Sequence, residues 1–320
     1  MASQSVTRCA RISALMPVLI LLNTNCFAVF STNGYASSEL YSSYGTYTTM
    51  GGLDLDGGLL YFGHYDKVKS LNLSDNSVST VGSIGSNAGN ALVARHAGLT
   101  YTAYGTSYNS PYPYKMGYID GTGTYNNQLD EDGIYDVVVN SQGDCYIVAN
   151  PDAQGSKIFS YDWDTGATTL VAHIGGYSGG LTFDGAGNLY YADQGIYGSR
   201  QASILMFTAA ELELGGLDAS DADSVLDIAA GFIAFDEEDA FYATTGYGAT
   251  LSQYDLETQV LIDEIAYGGI GKFLLDGDSV YAVDTDWGNY YSTIQQITIP
   301  EPATITLLSF AALQLRRRCA

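Results

Sequence analysis

The sequence predicts an all-β fold, and within that class a β-propeller of six four-stranded blades, with seven blades left open. The first observation is composition: the 320 residues include 37 Gly and 27 Tyr but only 6 Pro, which favours strands and tight turns over helices. The second is a repeat of roughly 40 to 50 residues, the length of one propeller blade. The third is a spare N-terminal strand that could close a ring.

Each repeat consists of an apolar strand, a turn with Asp or Gly, and a second apolar strand centred on Tyr. The clearest copy is LTFDGAGNLY, which runs from Leu181 to Tyr190. A third strand, and in most repeats a fourth, follows this hairpin. A stack or sandwich of β-meanders is the alternative. The tyrosines that mark the repeat, called the register tyrosines below, are Tyr61, Tyr101, Tyr146, Tyr190, Tyr242 and Tyr281.

Ring closure is predicted from two irregularities at the ends of the repeat array. The sixth repeat lacks an outer strand because the chain leaves it at Pro300, and the first repeat is preceded by a strand-like stretch from Glu39 to Met50. If that stretch completes the last blade, the ring closes and its open edges disappear.

The turn sequence from Asp184 to Tyr190 resembles the turns of NHL and SMP-30-like six-bladed propellers. The resemblance covers the ring at the level of the fold. It implies the propeller architecture but carries over no functional residue.

The first 28 residues are typical of a secretory signal peptide. Arg8 and Arg11 precede an apolar stretch from Ile12 to Leu22 that is too short to span a bilayer. We expect cleavage after Ala28, with Ala36 as the second choice. A buried N-terminal helix is the alternative.

The last 21 residues, 300–320, contain three features in a fixed order. Pro300-Glu301-Pro302 is followed by the apolar stretch 303–315 and then by Arg316-Arg317-Arg318. This order resembles the PEP-CTERM sorting signal. The resemblance implies processing near the tripeptide by an exosortase, with the Arg cluster held on the cytoplasmic side of the membrane. A final β-strand with a basic tail is the alternative.

The charge of the chain excludes one class of partner. The formal net charge is −23 with a pI near 4.1, so nucleic acid and anionic lipid are repelled as main partners. All 35 acids lie between Val29 and Pro302, whereas five of the twelve cations lie before Val29 or after Pro302. The two end segments are therefore basic, whereas the body is strongly acidic.

The sequence provides no recognisable catalytic set, so we expect no catalytic residue. The three histidines, His64, His96 and His173, occupy different positions in their repeats and are not expected to converge. The inner-strand positions that carry metal ligands or acid–base groups in propeller enzymes are predicted to hold Leu, Val, Phe and Ala. Cys145 is the only cysteine of the body and is expected to be buried.

Two acidic segments could bind Ca²⁺, which takes six to eight oxygen ligands. The candidate ligands are Asp218, Asp221 and Asp223 in one segment, and Asp130 and Asp132 in the other. Neither segment has the EF-hand spacing. Solvated loop charge is the alternative, and no other cofactor is expected.

These observations favour a non-enzymatic, exported bacterial surface or matrix protein. The propeller would serve as a binding module, delivered by the secretion translocon, sorted by an exosortase-type enzyme, and anchored transiently in the inner membrane of a Gram-negative-type cell. An extracellular polysaccharide or another surface protein is the expected partner. The alternative is a secreted propeller enzyme of the lactonase, lyase or sugar dehydrogenase type.

Overall fold

A computed structural model describes residues 30–299, apart from 46–49, 86–90, 106–112, 151–154, 197, 247–248, 287 and 290. Within these residues the chain forms six sheets of four or five strands. Each sheet is built mainly from strands that follow one another in sequence, as in the blades of a propeller. The all-β prediction and the count of six blades are confirmed, and seven blades are excluded.

The chain begins with two strands that join later blades, and then forms blades 1 and 2. The two early strands are β1 (Ser31–Thr32) and β2 (Ala36–Tyr44). Blade 1 consists of β3 (Met50–Asp56), β4 (Leu59–His64), β5 (Lys67–Asn72) and β6 (Val78–Ser83). Blade 2 consists of β7 (Leu92–His96), β8 (Leu99–Gly105), β9 (Pro113–Ile119) and β10 (Tyr125–Asp132).

Blades 3 and 4 follow, and a short helix interrupts blade 4. Blade 3 consists of β11 (Asp136–Val139), β12 (Cys145–Ala149), β13 (Lys157–Tyr161) and β14 (Thr168–His173). Blade 4 begins with β15 (Leu181–Phe183), β16 (Leu189–Asp193) and β17 (Ser203–Phe207), which α1 (Ala209–Leu214) follows. Next, β18 (Leu217–Asp218) pairs in parallel with β14 as a fifth strand of blade 3, and β19 (Asp223–Leu226) completes blade 4.

Blades 5 and 6 complete the ring. Blade 5 consists of β20 (Ala230–Phe235), β21 (Phe241–Thr245), β22 (Thr250–Asp255) and β23 (Val260–Tyr267), with β1 as a fifth strand. Blade 6 consists of β24 (Ile270–Asp276), β25 (Ser279–Asp286) and β26 (Tyr291–Thr298). Its outer strand is β2, which pairs with β26 from Ala36 opposite Thr298 to Tyr44 opposite Tyr291. The predicted closure by an N-terminal strand is confirmed, but that strand is Ala36–Tyr44 rather than Glu39 to Met50, because Met50 already begins blade 1.

The repeat signature has a physical basis in the first turn of each hairpin. In blade 4 the Asp184 carboxylate accepts hydrogen bonds from the backbone N–H of Ala186 (3.0 Å) and Asn188 (2.8 Å), and from the hydroxyl of Tyr190 (3.2 Å). Asp236 makes the same kind of bonds to its own turn and to the hydroxyl of Tyr242. Aspartate therefore fixes the turn and the register tyrosine together.

Hydrophobic clusters lie between adjacent blades, because each blade buries both faces against its neighbours. Leu60, Phe62 and Leu71 of blade 1, for example, pack with Val283 and Ile294 of blade 6. This cluster joins the last blade to the first, so it stabilises the closed ring. In the described part of the chain, no helix is both long and apolar enough to cross a membrane.

The ring has two chemically distinct ends. Every first strand runs from the end we call the cavity face, where Met50 and Ile270 lie, to the opposite end, called the turn face. The turn face carries the turns between first and second strands and between third and fourth strands. β26 also runs toward the turn face, because Thr298 pairs with Ser279 at the hairpin turn of blade 6.

Candidate functional site

A cavity of about 1020 Å³ opens on the cavity face at the centre of the ring. It is lined by the starts of first strands and by the ends of second strands, so all six blades converge on it. This volume is at the upper end of the range typical for ligand sites. Most of its wall is apolar side chain and glycine backbone, and a small number of polar groups project from it.

Six equivalent positions of the first strands form a ring around the axis. In every blade the register tyrosine pairs with a first-strand residue, for example Asp54 with Tyr61 and Leu274 with Tyr281. The residue two positions earlier lies at the level of the cavity. Around the ring these residues are Gly52, Leu92, Asp136, Gly180, Phe232 and Lys272.

Lys272 and Asp136 form an ion pair across the axis, because blades 6 and 3 lie opposite each other in a ring of six. The Lys272 ammonium lies 2.6 Å from Asp136 Oδ1 and 2.7 Å from Oδ2. The same carboxylate accepts hydrogen bonds from the backbone N–H of Val137 and Leu181, each at 2.9 Å. Asp136 is 1% exposed, and with four bonds to its two oxygens it is fully hydrogen-bonded. Lys272 lines the floor of the cavity, and Asp136 is buried behind it.

Backbone bulges position the ring residues in three of the blades. The pairing register shifts between Met50 and Leu53, and at the matching places in blades 5 and 6. A bulge redirects side chains, and here it places Phe232 and Lys272 over the channel. The N–H of Phe232, which has lost its ladder partner, donates instead to the Thr244 hydroxyl at 2.9 Å.

An aromatic pair forms one wall beside the ammonium. The rings of Tyr135 and Phe232 stack with centroids 5.5 Å apart and planes 16° apart, and the Lys272 ammonium lies 5.4 Å from the Phe232 centroid. Burial, with the charge of Asp136 in second place, raises the pKa of Tyr135 to about 12. The phenol therefore stays protonated at every ordinary pH. Gly180 lies at the start of blade 4, between blades 3 and 5, which carry the two aromatic side chains. A Cβ at this position would come within 2.9 Å of the Phe232 Cα.

A second ion pair fixes the rim of the cavity. Arg200 Nε donates to Asp193 Oδ2 at 2.7 Å and Nη2 to Oδ1 at 2.9 Å, while Nη1 donates to the Ile174 carbonyl at 2.9 Å. Asp193 is completely buried. Because Ile174 belongs to blade 3 and Asp193 to blade 4, Arg200 joins two blades. It also fixes the loop between β16 and β17, in which it lies, at the rim of the cavity.

Two further acids lie close to the channel: Asp284, which is buried, and Asp54, which is half-buried. Burial raises the pKa of Asp54, although the backbone N–H groups of Arg95 and Leu55 donate to it and partly oppose the shift. Burial likewise raises the pKa of Asp284, which accepts a hydrogen bond from the N–H of Gly269 at 2.6 Å. Both carboxylates are thus held by backbone donors of a neighbouring segment.

The predicted calcium ligands lie away from this cavity. Asp221 accepts a hydrogen bond from the N–H of Asp218 at 2.8 Å, so these two form a local turn, and Asp223 begins β19. Asp130 and Asp132 lie in β10, and their side chains fall outside the described part. Among the described residues, no group of three or more His, Cys, Asp or Glu could hold a metal ion. A Ca²⁺ site in either segment stays a prediction.

The remaining predicted site residues have different outcomes. The cleavage site at Ala28, the motif Pro300-Glu301-Pro302 and the cluster Arg316-Arg317-Arg318 lie outside the described residues. The three histidines lie on β4, β7 and β14 and do not converge. Cys145 is buried, which raises its pKa.

One expectation about the inner strands was wrong, because the ring contains both Asp136 and Lys272. The apolar residues used for that expectation lie one or two positions further along each first strand. Counting back two residues from the partner of each register tyrosine, rather than taking the apolar centre of the strand, would have found both.

Comparison with known proteins gives the fold and nothing finer. No family model and no curated protein matches the chain. Among solved structures, a gluconolactonase from Xanthomonas campestris aligns with a TM-score of 0.61 at 12% identity, covering 84% of this chain and 91% of the other. A luciferin-regenerating enzyme aligns with a TM-score of 0.61 at 13% identity, covering 83% and 95%. The calcium-binding protein regucalcin from Agrobacterium tumefaciens aligns with a TM-score of 0.59 at 11% identity, covering 83% and 96%. At these identities the likeness shows that the chain is a β-propeller of the kind found in these proteins.

Proposed function

We propose that this chain is an exported β-propeller whose axial cavity binds a small organic ligand. The observation that carries the proposal is the Lys272–Asp136 pair at the cavity floor. An ammonium has three N–H donors, and two of them suffice for the two oxygens of Asp136. The third is left for an acceptor oxygen of a ligand, with the Tyr135–Phe232 wall beside it for the apolar part.

The charge around the cavity favours an uncharged ligand. Lys272 is neutralised by Asp136 and Arg200 by Asp193, so neither cation is in excess at the site. The whole chain is strongly acidic, which repels anions at long range. A neutral molecule with a carbonyl or hydroxyl group and an apolar ring meets both conditions.

Export and sorting are the second part of the proposal, and they rest on the end segments. The signal at residues 1–28 would direct the chain to the translocon, and residues 300–320 would direct it to an exosortase-type enzyme. A transient inner-membrane anchor would then give an outer-surface or extracellular protein. Replacing Pro300-Glu301-Pro302 with alanines should leave an unprocessed, membrane-retained precursor, and unchanged processing on immunoblots would contradict the sorting proposal.

Ligand binding is tested by calorimetry and thermal shift with a panel of neutral sugars, lactones and aromatic alcohols. A ligand of the cavity should lose affinity in Tyr177→Ala, which removes a rim side chain that is 72% exposed, and in Lys272→Met. It should keep its affinity in Lys67→Met, because Lys67 is an exposed cation of blade 1 outside the cavity. Equal binding by all of these proteins would refute the cavity as the site.

A propeller enzyme is the second candidate, and the axial cavity also favours it. Buried carboxylates beside an ammonium could transfer protons to and from a bound lactone or ester. Turnover of lactones followed by NMR, abolished in Lys272→Met and retained in Lys67→Met, would replace the binding-module proposal with this one. The likeness to propeller enzymes is a likeness of fold and does not by itself favour turnover.

A further inference from the structure

The turn face of the propeller is its acidic face. The turns of this face use aspartate to bond their own backbone, as described for Asp184, so the acids accumulate there for a structural reason. Most of these carboxylates remain exposed to solvent. The acids of these turns are Asp56, Asp75, Asp120, Asp144, Asp162, Asp164, Asp184, Asp236, Glu237, Glu238, Asp239, Asp255, Glu257, Asp276 and Asp278.

The cations of the body have the opposite distribution. Seven lie between residues 30 and 299, and only Arg95 reaches the turn face, where it pairs with Asp56 at 3.0 Å. The other six lie in the half of the ring next to the cavity face: Lys67, Lys69, Lys115, Lys157, Arg200 and Lys272. The turns of the turn face therefore hold fifteen acids against one cation, whereas the cavity half has six cations beside its own acids, such as Asp66, Asp193 and Asp227. Negative charge is in greatest excess at the turn face.

The chain leaves the ring at this acidic end. The N–H of Ile299 donates to the carbonyl of Asp278 at 2.7 Å, and the Ile299 side chain packs against the blade 5–blade 6 cluster. Pro300 is the next residue, so no spacer separates the sorting motif from the folded body. An enzyme that grips Pro300-Glu301-Pro302 must therefore meet the turn face around the hairpin Asp276–Ser279.

We propose that the turn face docks onto a basic surface of the membrane enzyme that processes the tail. This rests on the sorting function proposed above. Charge complementarity favours a basic protein surface and disfavours the anionic lipid beside it. Docked in this way, the propeller directs its cavity mouth away from the membrane, so the cavity stays open to ligands while the tail is still attached.

Cysteine accessibility tests this orientation in the full chain, in a bacterial host that carries the enzyme and with Cys319→Ser as background. Asp276→Cys places a thiol on the turn face, and Tyr177→Cys places one on the cavity rim. A membrane-impermeant maleimide should modify residue 276 several-fold more slowly in the membrane-retained form than in the released form. Residue 177 should react at the same rate in both forms, and equal rates at 276 in the two forms would overturn the proposal.

Charge neutralisation provides an independent readout. Glu237→Gln with Asp278→Asn removes two charges from the turn face, and Asp66→Asn with Asp227→Asn removes two from the cavity face. Processing should slow in the first double variant and keep its rate in the second. Equal rates in both would overturn the docking proposal.

The two proposals fail in distinguishable ways. If processing does not depend on Pro300-Glu301-Pro302, the sorting function itself is refuted. If processing depends on the motif but residue 276 is never protected, only the docking of the turn face is refuted.

Discussion

Removing the Lys272 ammonium tests the axial ion pair most directly. In Lys272→Met the Asp136 carboxylate stays buried, with the two backbone donors Val137 and Leu181 but no counter-charge. Breaking one partner of a buried pair typically destabilises a protein by about 3–5 kcal/mol. For a body of this size the melting temperature should then fall by roughly 6–20 °C.

The reciprocal change should be milder. Asp136→Asn leaves Lys272 without its partner, but the lysine side chain is 14% exposed at the cavity floor and reaches water more easily than the 1% exposed aspartate side chain. We expect the double variant, Asp136→Asn with Lys272→Met, to recover a large part of the loss caused by Lys272→Met alone.

Urea denaturation followed by circular dichroism measures all three variants. Lys67→Met is the control and should stay within about 0.5 kcal/mol of the natural protein, as surface substitutions do. A loss below about 1 kcal/mol in Lys272→Met, or a double variant as unstable as the sum of the singles, would refute the ion pair as a stabilising buried contact.

Three further predictions concern other parts of the ring. Gly180→Ala should destabilise by about 1–3 kcal/mol because its Cβ would contact Phe232 backbone, whereas Gly121→Ala, which meets no atom within 4 Å, should not. Arg200→Lys should lose about 1.5–3 kcal/mol, because an ammonium cannot replace the paired bonds of the guanidinium. Burial, and next the charge of Lys69, lowers the pKa of His64 to about 4. As the pH falls, the imidazole is therefore protonated in the unfolded chain before it is protonated in the folded protein. Stability should thus fall between about pH 6.5 and 4, and His64→Gln should flatten that slope in pH-dependent urea titrations; an unchanged slope would contradict the shift.

The blades could be predicted from the sequence because their signals are local. The turn at Asp184 and the tyrosine six residues later are joined by direct hydrogen bonds, so they recur together with a fixed spacing. Closure by β2 was predictable for a related reason: a blade that lacks an outer strand exposes an edge, and the sequence shows a strand-like stretch before the first blade that could cover it.

The functional site was much less predictable, because it depends on contacts between distant blades. Asp136 and Lys272 are 136 residues apart, and neither belongs to a motif. They meet only because the ring has six blades, because the strand registers place both residues at the same level, and because a bulge in β24 directs Lys272 toward the axis. The extra strand β18 and the helix α1 were also not foreseen, because both lie in an insertion that does not follow the repeat.

The pairing of β2 with β26 has a consequence for the order of folding. These two strands lie at opposite ends of the body, with Ala36 next to Thr298, so the ring cannot close until almost the whole body has been synthesised. β2, which leaves the ribosome early, has to wait for β26, and closing such a long loop is slow. During that interval both edges of the unfinished ring are open to misassociation. The lag before closure, rather than the stability of the finished ring, would then limit the yield of folded protein.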